Sequence, residues 1–545
     1  MARWQENCFC CAFLLLHGLV LFAQSVPMTS LTTRIDVQPS QLLEKPVSAN
    51  WLSYNGDYTG RRYSSLHDIN PGNVAQLRAQ WVFHASNSNH LEVTPVVVDG
   101  IMFVTSANDA FALDAQTGRT LWHYSRPITE GLIDDASQHH NRGVAIWRSR
   151  IYMETDNAHL LCLDARSGHL LWDVAYTDGN RNYGATSAPL VVKDKVLVGT
   201  SGGDDGVRGF VAAFDAETGK EVWRFWTIPG PGEFGSSSWP GESYKLGGGT
   251  TWMPGTFDPE LNTIFWATSN PAPDFDGDPR PGDDLYTDCL LALDPDTGKL
   301  KWYFQFTPHD LFDYDAVETP VLVDATFRGQ PRKLIVQANR NGFLYVLDRT
   351  GGAFLSATRF SEKLNWATGI DEKGRPIRTD VKPTAAGTRV CPGMVGATNW
   401  YSPSFNPDTS MFYFLALETC DVYLLKPKEF QSGQTYYSTG TRHSEGDHNQ
   451  KVLLAYPLEG GKPAWKYIQS GEGHSAGGTM STASGLVFFG DDARSFEAVD
   501  AHTGKALWHF NTGQNISASP MSYAVNSKQY VAIAAGSDVF SFALP

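Results

Sequence analysis

The sequence lacks several features that mark common classes of protein. After residue 25 it contains no Cys-x-x-Cys pair, which excludes a zinc ribbon, and no Cys-x-x-Cys-His, which excludes covalently attached haem. It has 43 Lys and Arg against 58 Asp and Glu and no Lys-rich arm, so nucleic acid is not its main partner. No stretch beyond the N-terminus is apolar for the length of a membrane span, and none has the pattern of a long amphipathic helix. We therefore expect a mature chain with no membrane span.

The N-terminus has the pattern of an export signal. Arg3 precedes an apolar run from Cys8 to Ala23, about 16 residues, whereas a membrane span needs about 20. Small residues at Ala23 and Ser25 fit a signal-peptidase site, so residues 1–25 are predicted to be a signal peptide. A retained N-terminal anchor is the alternative. Export through the inner membrane predicts a periplasmic protein.

Four cysteines follow the predicted signal peptide. Cys162 lies inside an apolar strand pattern and Cys289 begins another, so both are predicted to be buried thiols. Cys391 and Cys420 lie outside the repeated segments of the chain, and an oxidising compartment would let them pair.

One short phrase recurs along the chain. Its alternating apolar residues predict a strand, and its Asp-x-x-Thr-Gly predicts a tight turn in which Gly takes a positive φ and the Asp side chain caps the backbone. A second strand then ends on Trp. The clear copies are FALDAQTGRTLW (111–122), LCLDARSGHLLW (161–172), AAFDAETGKEVW (212–223), LALDPDTGKLKW (291–302) and EAVDAHTGKALW (497–508). Weaker copies are YVLDRTGGAFLS (345–356) and LAYPLEGGKPAW (454–465).

The spacing of the copies predicts a β-propeller. Hairpin patterns between copies, such as TPVVVDGIMFVTS and APLVVKDKVLVGTS, bring each unit to about four strands. The first three repeat tryptophans are 50 and 51 residues apart, the length of a propeller blade, and later spacings widen to hold inserted loops. We predict an all-β, eight-bladed propeller over residues 46–545, preceded by a linker at 26–45. The repeated tryptophans are expected to pack blade against blade rather than to contact a ligand.

The repeat with its terminal Trp resembles the tryptophan-docking motif of the pyrroloquinoline quinone (PQQ) alcohol dehydrogenases, which are eight-bladed propellers. The resemblance covers nearly the whole mature chain. Each matching segment is polar, Gly-rich or acidic and lies beside a strand end, where propellers bind ligands. The segments are, in order, HLEVTPVVVDG, HNRGVAI, SGGDDGVRGF, GGGTTW, NPAPDF, FTPHDLFDYDA, QANRNGFLYVLDR, GATNW and AGGTMSTASGLVFFGDD.

Three acids within six residues indicate a metal site. Asp310, Asp313 and Asp315 repel one another unless a cation or solvent screens them. On spacing alone a solvated acidic loop is the alternative. The ligands implied by the resemblance are Asp204, Asn270, Asp313 and Asp315.

The resemblance leaves the metal open between Ca²⁺ and a lanthanide. Hard oxygen ligands suit Ca²⁺. The extra carboxylate of Asp315 resembles the lanthanide-using branch of the family, which favours a lanthanide. The family usually has Glu after Ser-Gly-Gly, whereas this chain has Asp204, whose side chain is one methylene shorter. Either the ion lies closer to that loop, or Asp204 reaches the ion through a water molecule.

The resemblance also implies the residues that hold PQQ. Trp252 matches the aromatic floor, and Arg142 matches the arginine that pairs with a PQQ carboxylate. The full implied set is Glu92, Arg142, Thr186, Ser201, Gly202, Gly203, Thr250, Trp252, Arg340 and Asn399.

One departure from the family concerns the cover of the quinone. Many members place a disulfide between adjacent cysteines there, but this chain has Ala136 and Ser137. His139 or His140 would cover the ring instead, or both are flexible loop residues.

The reaction implied by the resemblance is oxidation of a primary alcohol, or of an aldehyde, by hydride transfer to PQQ. Asp313 would take the hydroxyl proton as general base, and Arg340 would hydrogen-bond the developing oxyanion. Because the sequence has no haem motif, the electrons would pass to a separate soluble cytochrome c. Whether the chain forms a homodimer is left open by the sequence. The family also carries a disulfide in the region of Cys391 and Cys420.

Two alternatives remain open on the sequence alone. A Trp-repeat propeller can serve as a non-enzymatic scaffold of outer-membrane assembly, although such a scaffold would not need the acids at 310–315 or GGGTTW. The same cofactor could instead oxidise a polyol, a sugar or a cyclic alcohol. The sequence does not distinguish these substrates, because loops form the walls of the substrate pocket and their packing does not follow from the sequence.

Overall fold

The chain folds into short antiparallel strands arranged in consecutive sheets. The structure is a computed structural model that describes residues 35–86, 88, 90–133, 137–437, 440–471 and 473–545. The predicted signal peptide, residues 1–25, lies outside the described residues. No helix in the described part of the chain is long and apolar enough to cross a membrane.

In the described part of the chain, short strands make up most of the regular structure, together with a few short helices. The first part of the chain contains α1 (Pro39–Leu42), β1 (Tyr63–Ser64), β2 (Arg78–His84), β3 (Val96–Val98), β4 (Ile101–Thr105), β5 (Asp109–Asp114), β6 (Thr120–Ser125), β7 (Ala145–Trp147), β8 (Arg150–Glu154), β9 (His159–Asp164), β10 (Leu170–Ala175), β11 (Leu190–Val192), β12 (Lys195–Val198), β13 (Phe210–Asp215) and β14 (Glu221–Trp226). The middle contains β15 (Thr256–Asp258), β16 (Thr263–Ala267), β17 (Cys289–Leu293), β18 (Leu300–Gln305), β19 (Val321–Phe327), β20 (Gln330–Ala338), β21 (Phe343–Asp348), β22 (Ala353–Arg359), β23 (Ala367–Ile370), β24 (Pro376–Arg378) and β25 (Thr388–Val390). The last part contains β26 (Ser404–Asn406), β27 (Met411–Glu418), β28 (Asp421–Tyr423), β29 (Thr441–His443), β30 (Gln450–Pro457), β31 (Trp465–Ile468), β32 (Thr479–Thr482), β33 (Leu486–Gly490), β34 (Ser495–Asp500), β35 (Ala506–Asn511), β36 (Met521–Val525), β37 (Lys528–Ala535) and β38 (Asp538–Ala543). Short 3₁₀ helices lie at Val74–Gln76, Gly203–Asp205, Ser236–Ser238 and Ser243–Leu246.

Most strands belong to sheets of four. Seven four-stranded sheets and one five-stranded sheet are formed by the described residues, with successive strands as neighbours in most of them. The all-β prediction is confirmed, while the number of eight blades stays a prediction. Two smaller sheets, β23–β24 and β25–β28–β29, follow the fourth clear repeat, where the widened spacing predicted inserted loops.

The two ends of the folded region share sheets. Strand β2 pairs antiparallel with β38, placing Phe83 opposite Val539, so an N-terminal strand completes the last sheet. Part of the predicted linker is also held by the fold, because Val37 is buried and exchanges backbone hydrogen bonds with Arg148.

The recurring turn has the predicted geometry. In the first copy, Asp114 Oδ1 accepts hydrogen bonds from the backbone N–H groups of Gln116 and Thr117, each at 2.9 Å. Gly118 completes the turn with a φ of 72°, which a residue with a Cβ rarely adopts. The turn therefore depends on the Asp and the Gly of the repeat.

The tryptophans that end five of the copies pack on the turn of the following copy. Trp122 donates from Nε1 to the carbonyl of Ala165 at 3.1 Å. A Cβ on Gly168 would lie only 2.6 Å from the Trp122 ring, so the glycine is also needed for this contact. The same contact recurs at Trp81–Gly118, Trp172–Gly219, Trp223–Gly298, Trp302–Gly352 and Trp465–Gly504. The prediction that these tryptophans join neighbouring sheets is confirmed.

Candidate active site

One cavity of about 270 Å³ collects side chains from segments spread along most of the chain. These segments either precede the first strand of a sheet or follow its second strand. Because consecutive strands are antiparallel, both positions lie at the same end of a sheet. The residues that line the cavity are Glu92, Gln138, His140, Arg142, Thr186, Ser201, Gly203, Asp204, Thr250, Trp252, Asn270, Asp313, Asp315, Arg340, Met394, Val395, Asn399, Trp400 and Tyr437.

Every site residue predicted from the sequence lines this cavity except Gly202. Gly202 has a φ of 95°, and a Cβ there would lie 1.9 Å from the carbonyl oxygen of Asn182. Its role is therefore to let the loop after β12 turn closely past that carbonyl. The neighbouring Ser201 and Gly203 reach the cavity.

The loop before β19 presents two carboxylates to the cavity. Asp310 accepts hydrogen bonds from the backbone N–H groups of Phe312 (3.0 Å) and Tyr314 (2.8 Å), which fixes the chain on either side of Asp313. Asp313 itself has a φ of 62°, a strained conformation of the kind that clusters at functional sites. The Tyr314 hydroxyl donates to the carbonyl of Pro392 at 2.6 Å, so the side chain between the two carboxylates points into the core.

Asn270 connects the other predicted metal ligands. Its backbone N–H donates to Asp315 Oδ1 at 2.9 Å, and its Nδ2 donates to Asp204 Oδ1 at 3.0 Å. The Tyr437 hydroxyl donates to Asp204 Oδ2 at 3.1 Å. The shorter side chain of Asp204 thus reaches the same cluster as Asn270 and Asp315.

Arg340 provides the positive charge within this cluster. Its Nη2 lies 2.8 Å from Asp315 Oδ2 and donates to Asn399 Oδ1 at 3.2 Å. Its Nη1 donates to the backbone carbonyl of Asp313 at 2.9 Å and lies 3.5 Å from the Oδ1 of that residue. One guanidinium therefore orients both carboxylates of the Asp-Tyr-Asp segment.

Burial raises the pKa of each of the three carboxyl groups in this cluster, those of Asp204, Asp313 and Asp315. It raises the pKa of Asp204 to about 6, with the charge of Asp315 adding to the rise. It also raises the pKa of Asp313 and of Asp315, although the charge of Arg340 opposes the rise in both. Three carboxylates face one guanidinium here, and a bound cation would reverse these shifts.

A second arginine, Arg142, also contacts the aromatic floor. The guanidinium of Arg142 is 5.0 Å from the ring centroid of Trp252 and 4.5 Å from that of Trp400. Its Nη2 pairs with Glu92 Oε2 at 2.6 Å. Burial alone would raise the pKa of Glu92, but the charges of Arg142 and His140 hold it well below its usual range.

The disulfide predicted between Cys391 and Cys420 is present, with its Cα atoms 4.4 Å apart. Cys162 and Cys289 are buried free thiols, as predicted. Cys391 lies at the start of the loop that leads to Asn399. Within that loop Asn399 Nδ2 donates to the carbonyl of Val395 at 2.8 Å. The disulfide thus ties one wall of the cavity to the sheet.

The two histidines considered as a cover differ in position. His140 lines the cavity, with its Nδ1 3.0 Å from Glu92 Oε1. His139 turns to Asp156, 3.7 Å from its Nδ1. Ser137 is described, whereas Ala136 lies outside the described residues.

Sequence reasoning missed several residues that line the cavity. Trp400 belongs to the GATNW segment, and its position next to Asn399 could have identified it. Met394 and Val395 lie in the loop that follows Cys391. Tyr437 comes from a stretch with no repeat or strand pattern, so nothing in the sequence relates it to Asp204.

The residues fit PQQ and a hard cation. Among the described residues, Ser201 Oγ, Arg142 Nε and Arg340 Nε are buried without a hydrogen-bond partner, which suits a ligand rich in carboxylates. The Trp252 ring offers a flat apolar surface beside them. The carboxylate and amide oxygens of the Asp204 cluster are the donors that hard cations prefer.

Comparisons with known proteins agree with this fit. The family model for the β-propeller domain of PQQ-dependent glucose, ethanol and alcohol dehydrogenases matches residues 51–359 and 459–531. The chain is 37% identical over 541 residues to quinohemoprotein alcohol dehydrogenase ADH IIB of Pseudomonas putida, covering 95% of this chain and 78% of that protein. It is 36% identical over 524 residues to a lanthanide-dependent methanol dehydrogenase of Methylacidiphilum fumariolicum, covering 89% of this chain and 84% of that protein.

Among solved structures, a europium-containing methanol dehydrogenase superposes with a TM-score of 0.86 at 31% identity, over 93% of this chain and 99% of that chain. The propeller architecture and the enzymatic class follow from these matches, which rule out the scaffold alternative. The chain belongs to the PQQ-dependent quinoprotein alcohol dehydrogenases, a family of oxidoreductases.

Proposed function

We propose that this protein oxidises primary alcohols, and the aldehydes derived from them, in the periplasm with PQQ and a lanthanide ion. The observation that carries the proposal is the cavity in which Asp313 and Asp315 flank Arg340 beside the floor of Trp252. The periplasmic location rests on the export pattern of residues 1–25.

The PQQ contacts follow from the donors that the cavity offers. Arg142 and Ser201 would bind the PQQ carboxylates, since each has a buried donor without a partner among the described residues. The flat ring system would stack on Trp252. When bound, PQQ supplies the two-electron acceptor, and the metal supplies a Lewis acid beside it.

Asp313 is the general base in this proposal. Its carboxylate lines the cavity next to the predicted ligands Asp315 and Asn270, where it accepts the proton of the substrate hydroxyl. Arg340 holds Asp313 through the backbone carbonyl and keeps an N–H group near its carboxylate. A donor fixed in this way also stabilises negative charge on the substrate oxygen.

The metal is proposed to be a lanthanide because the cluster contains three carboxylates. The carboxylates of Asp204, Asp313 and Asp315 carry three negative charges, and Arg340 offsets one of them. The carboxylates of bound PQQ would add negative charge, which a trivalent ion balances better than a divalent one. Similarity to a lanthanide-dependent methanol dehydrogenase supports this choice. The electrons are proposed to pass to a separate soluble cytochrome c, and the chain could act alone or as a homodimer.

A dye-linked assay tests the proposed function. The purified mature chain is loaded with PQQ and La³⁺ and offered primary alcohols, aldehydes, polyols, sugars and cyclic alcohols. We expect the highest kcat/KM with a primary alcohol. Faster turnover of a sugar, polyol or cyclic alcohol would contradict the substrate assignment, and PQQ binding without any turnover would contradict the proposed activity.

A further inference from the structure

Three side chains that can ligate a metal, His90, Glu92 and His140, meet beside Arg142. Glu92 Oε1 lies 3.0 Å from His140 Nδ1 and 3.5 Å from His90 Nε2. The ligand atoms of all three residues lie within 4.8 Å of one another. Two imidazole nitrogens therefore lie beside one carboxylate oxygen, within reach of a shared ion.

These separations fit a tetrahedral ion. Zn²⁺ binds His nitrogen and carboxylate oxygen at about 2.0–2.2 Å, so neighbouring ligand atoms lie roughly 3.3–3.6 Å apart. The two separations to Glu92 lie close to this range, and a small rotation of His90 would complete the site. The two histidine rings stack at an interplanar angle of 28°, so this rotation of His90 is needed before both ring nitrogens face one ion.

The surroundings of the three residues suit a bound ion. Glu92 uses its other oxygen, Oε2, to pair with Arg142, which fixes the carboxylate and leaves Oε1 directed toward the histidines. Side-chain exposure rises from 4% at Glu92 through 22% at His140 to 39% at His90. An ion would therefore enter from the His90 side and leave a fourth position open to water.

We propose that His90, Glu92 and His140 form a second cation site, which takes a divalent transition metal such as Zn²⁺ or Cu²⁺. Imidazole ligands select these metals over Ca²⁺ and lanthanides, which prefer oxygen donors. The site is chemically separate from the carboxylate cluster around Asp315. It ties the segment before β3 to the segment before β7, and the proposal does not depend on the reaction that the enzyme catalyses.

Calorimetric titration with Zn²⁺ tests this site. The mature chain is first saturated with La³⁺ to occupy the carboxylate cluster. We expect one saturable Zn²⁺ site, with affinity reduced at least about 100-fold in the double variant His90→Ala/His140→Ala. His139→Ala is the matched control, because this neighbouring histidine faces Asp156, and it should leave the affinity unchanged.

Electron paramagnetic resonance of bound Cu²⁺ gives a second readout. Coupling to two imidazole nitrogens is expected in the wild-type chain and should vanish in His90→Gln/His140→Gln. Thermal unfolding of this variant is measured to ensure that the fold is kept. Equal Zn²⁺ affinity in wild type and double variant, or an equal loss in His139→Ala, would overturn the proposal. Neither experiment measures alcohol oxidation, so failure of the proposed function would be seen separately.

Discussion

At the scale of single residues, the proposal that is simplest to test is the role of Asp313 as general base. It is buried, its backbone takes a left-handed conformation, and Arg340 contacts both its carbonyl and its carboxylate. Asp313→Asn keeps the size of the side chain but removes its ability to accept a proton. We expect kcat to fall at least about 100-fold while PQQ binding changes little.

Steady-state kinetics and PQQ titration of the same Asp313→Asn preparation separate these two effects. Asp296→Asn, an exposed carboxylate paired with Lys193, is the control for loss of a negative charge. Turnover within about tenfold of wild type would show that Asp313 is not the base.

Lys451 gives a pH-dependent prediction. It is buried in β30 beside Ser475, with its ammonium 4.0 Å from the ring centroid of Tyr401. Burial lowers the pKa of Lys451 to about 7, although nearby Asp492 and Asp491 oppose the shift. Between this value and the ordinary value of 10.5 the unfolded chain binds more protons, so the free energy of unfolding rises with pH in that window.

Lys451→Met should remove this pH dependence. We expect the stability of wild type relative to the variant to increase by about 2–3 kcal/mol between about pH 7 and pH 9.5. Denaturant unfolding at the two pH values measures it, with Lys333→Met, at a lysine paired with Glu260, as the control. A difference that does not change with pH would contradict the assigned shift.

At the scale of elements, the contact between a repeat Trp and the following turn joins one sheet to the next. Gly168→Ala places a Cβ at 2.6 Å from the Trp122 ring and forces alanine into a φ of 72°. Gly329→Ala imposes nearly the same φ, 76°, but its Cβ would meet nothing within 4 Å. The pair therefore separates backbone strain from loss of the tryptophan contact.

We expect Gly329→Ala to lower the free energy of unfolding by about 1 kcal/mol, and Gly168→Ala by at least about 2 kcal/mol. Denaturant unfolding of both variants under identical conditions provides the measurement. If the two variants lose the same stability, the contact with Trp122 contributes little to the joining of the sheets.

These elements also show why the repeats were predictable from the sequence. A turn such as Asp114–Gly118 is determined by neighbouring residues, since the Asp caps the backbone and the Gly supplies the positive φ. The tryptophan contact repeats at a regular spacing, so one copy predicts the others. The two small sheets, β23–β24 and β25–β28–β29, were not predicted as sheets. Their strands are short, and β25 pairs with β28 across the whole of β26 and β27.

At the scale of the whole molecule, the sequence predicted most of the residues that line the cavity, but it did not predict those that come from inserted loops. Asp204, Asn270 and Asp315 come from segments that resemble those of the family, and antiparallel pairing of the strands brings each segment to the same end of its sheet. Tyr437 reaches Asp204 from an inserted loop, and the path of such a loop depends on packing that no local pattern records. The departure at Ala136 and Ser137 was visible in the sequence, but the position of His140 beside Glu92 was not.

The proposed lanthanide chemistry is tested most directly by comparing two metals in one preparation. Apo protein is loaded with PQQ and either La³⁺ or Ca²⁺, and alcohol oxidation is measured with wild type and with Asp315→Ala. We predict higher turnover with La³⁺ in the wild-type chain and loss of that activity in Asp315→Ala, because removal of one carboxylate leaves the trivalent ion underneutralised. Turnover with Ca²⁺ equal to or above that with La³⁺, or full La³⁺ activity in Asp315→Ala, would contradict this assignment.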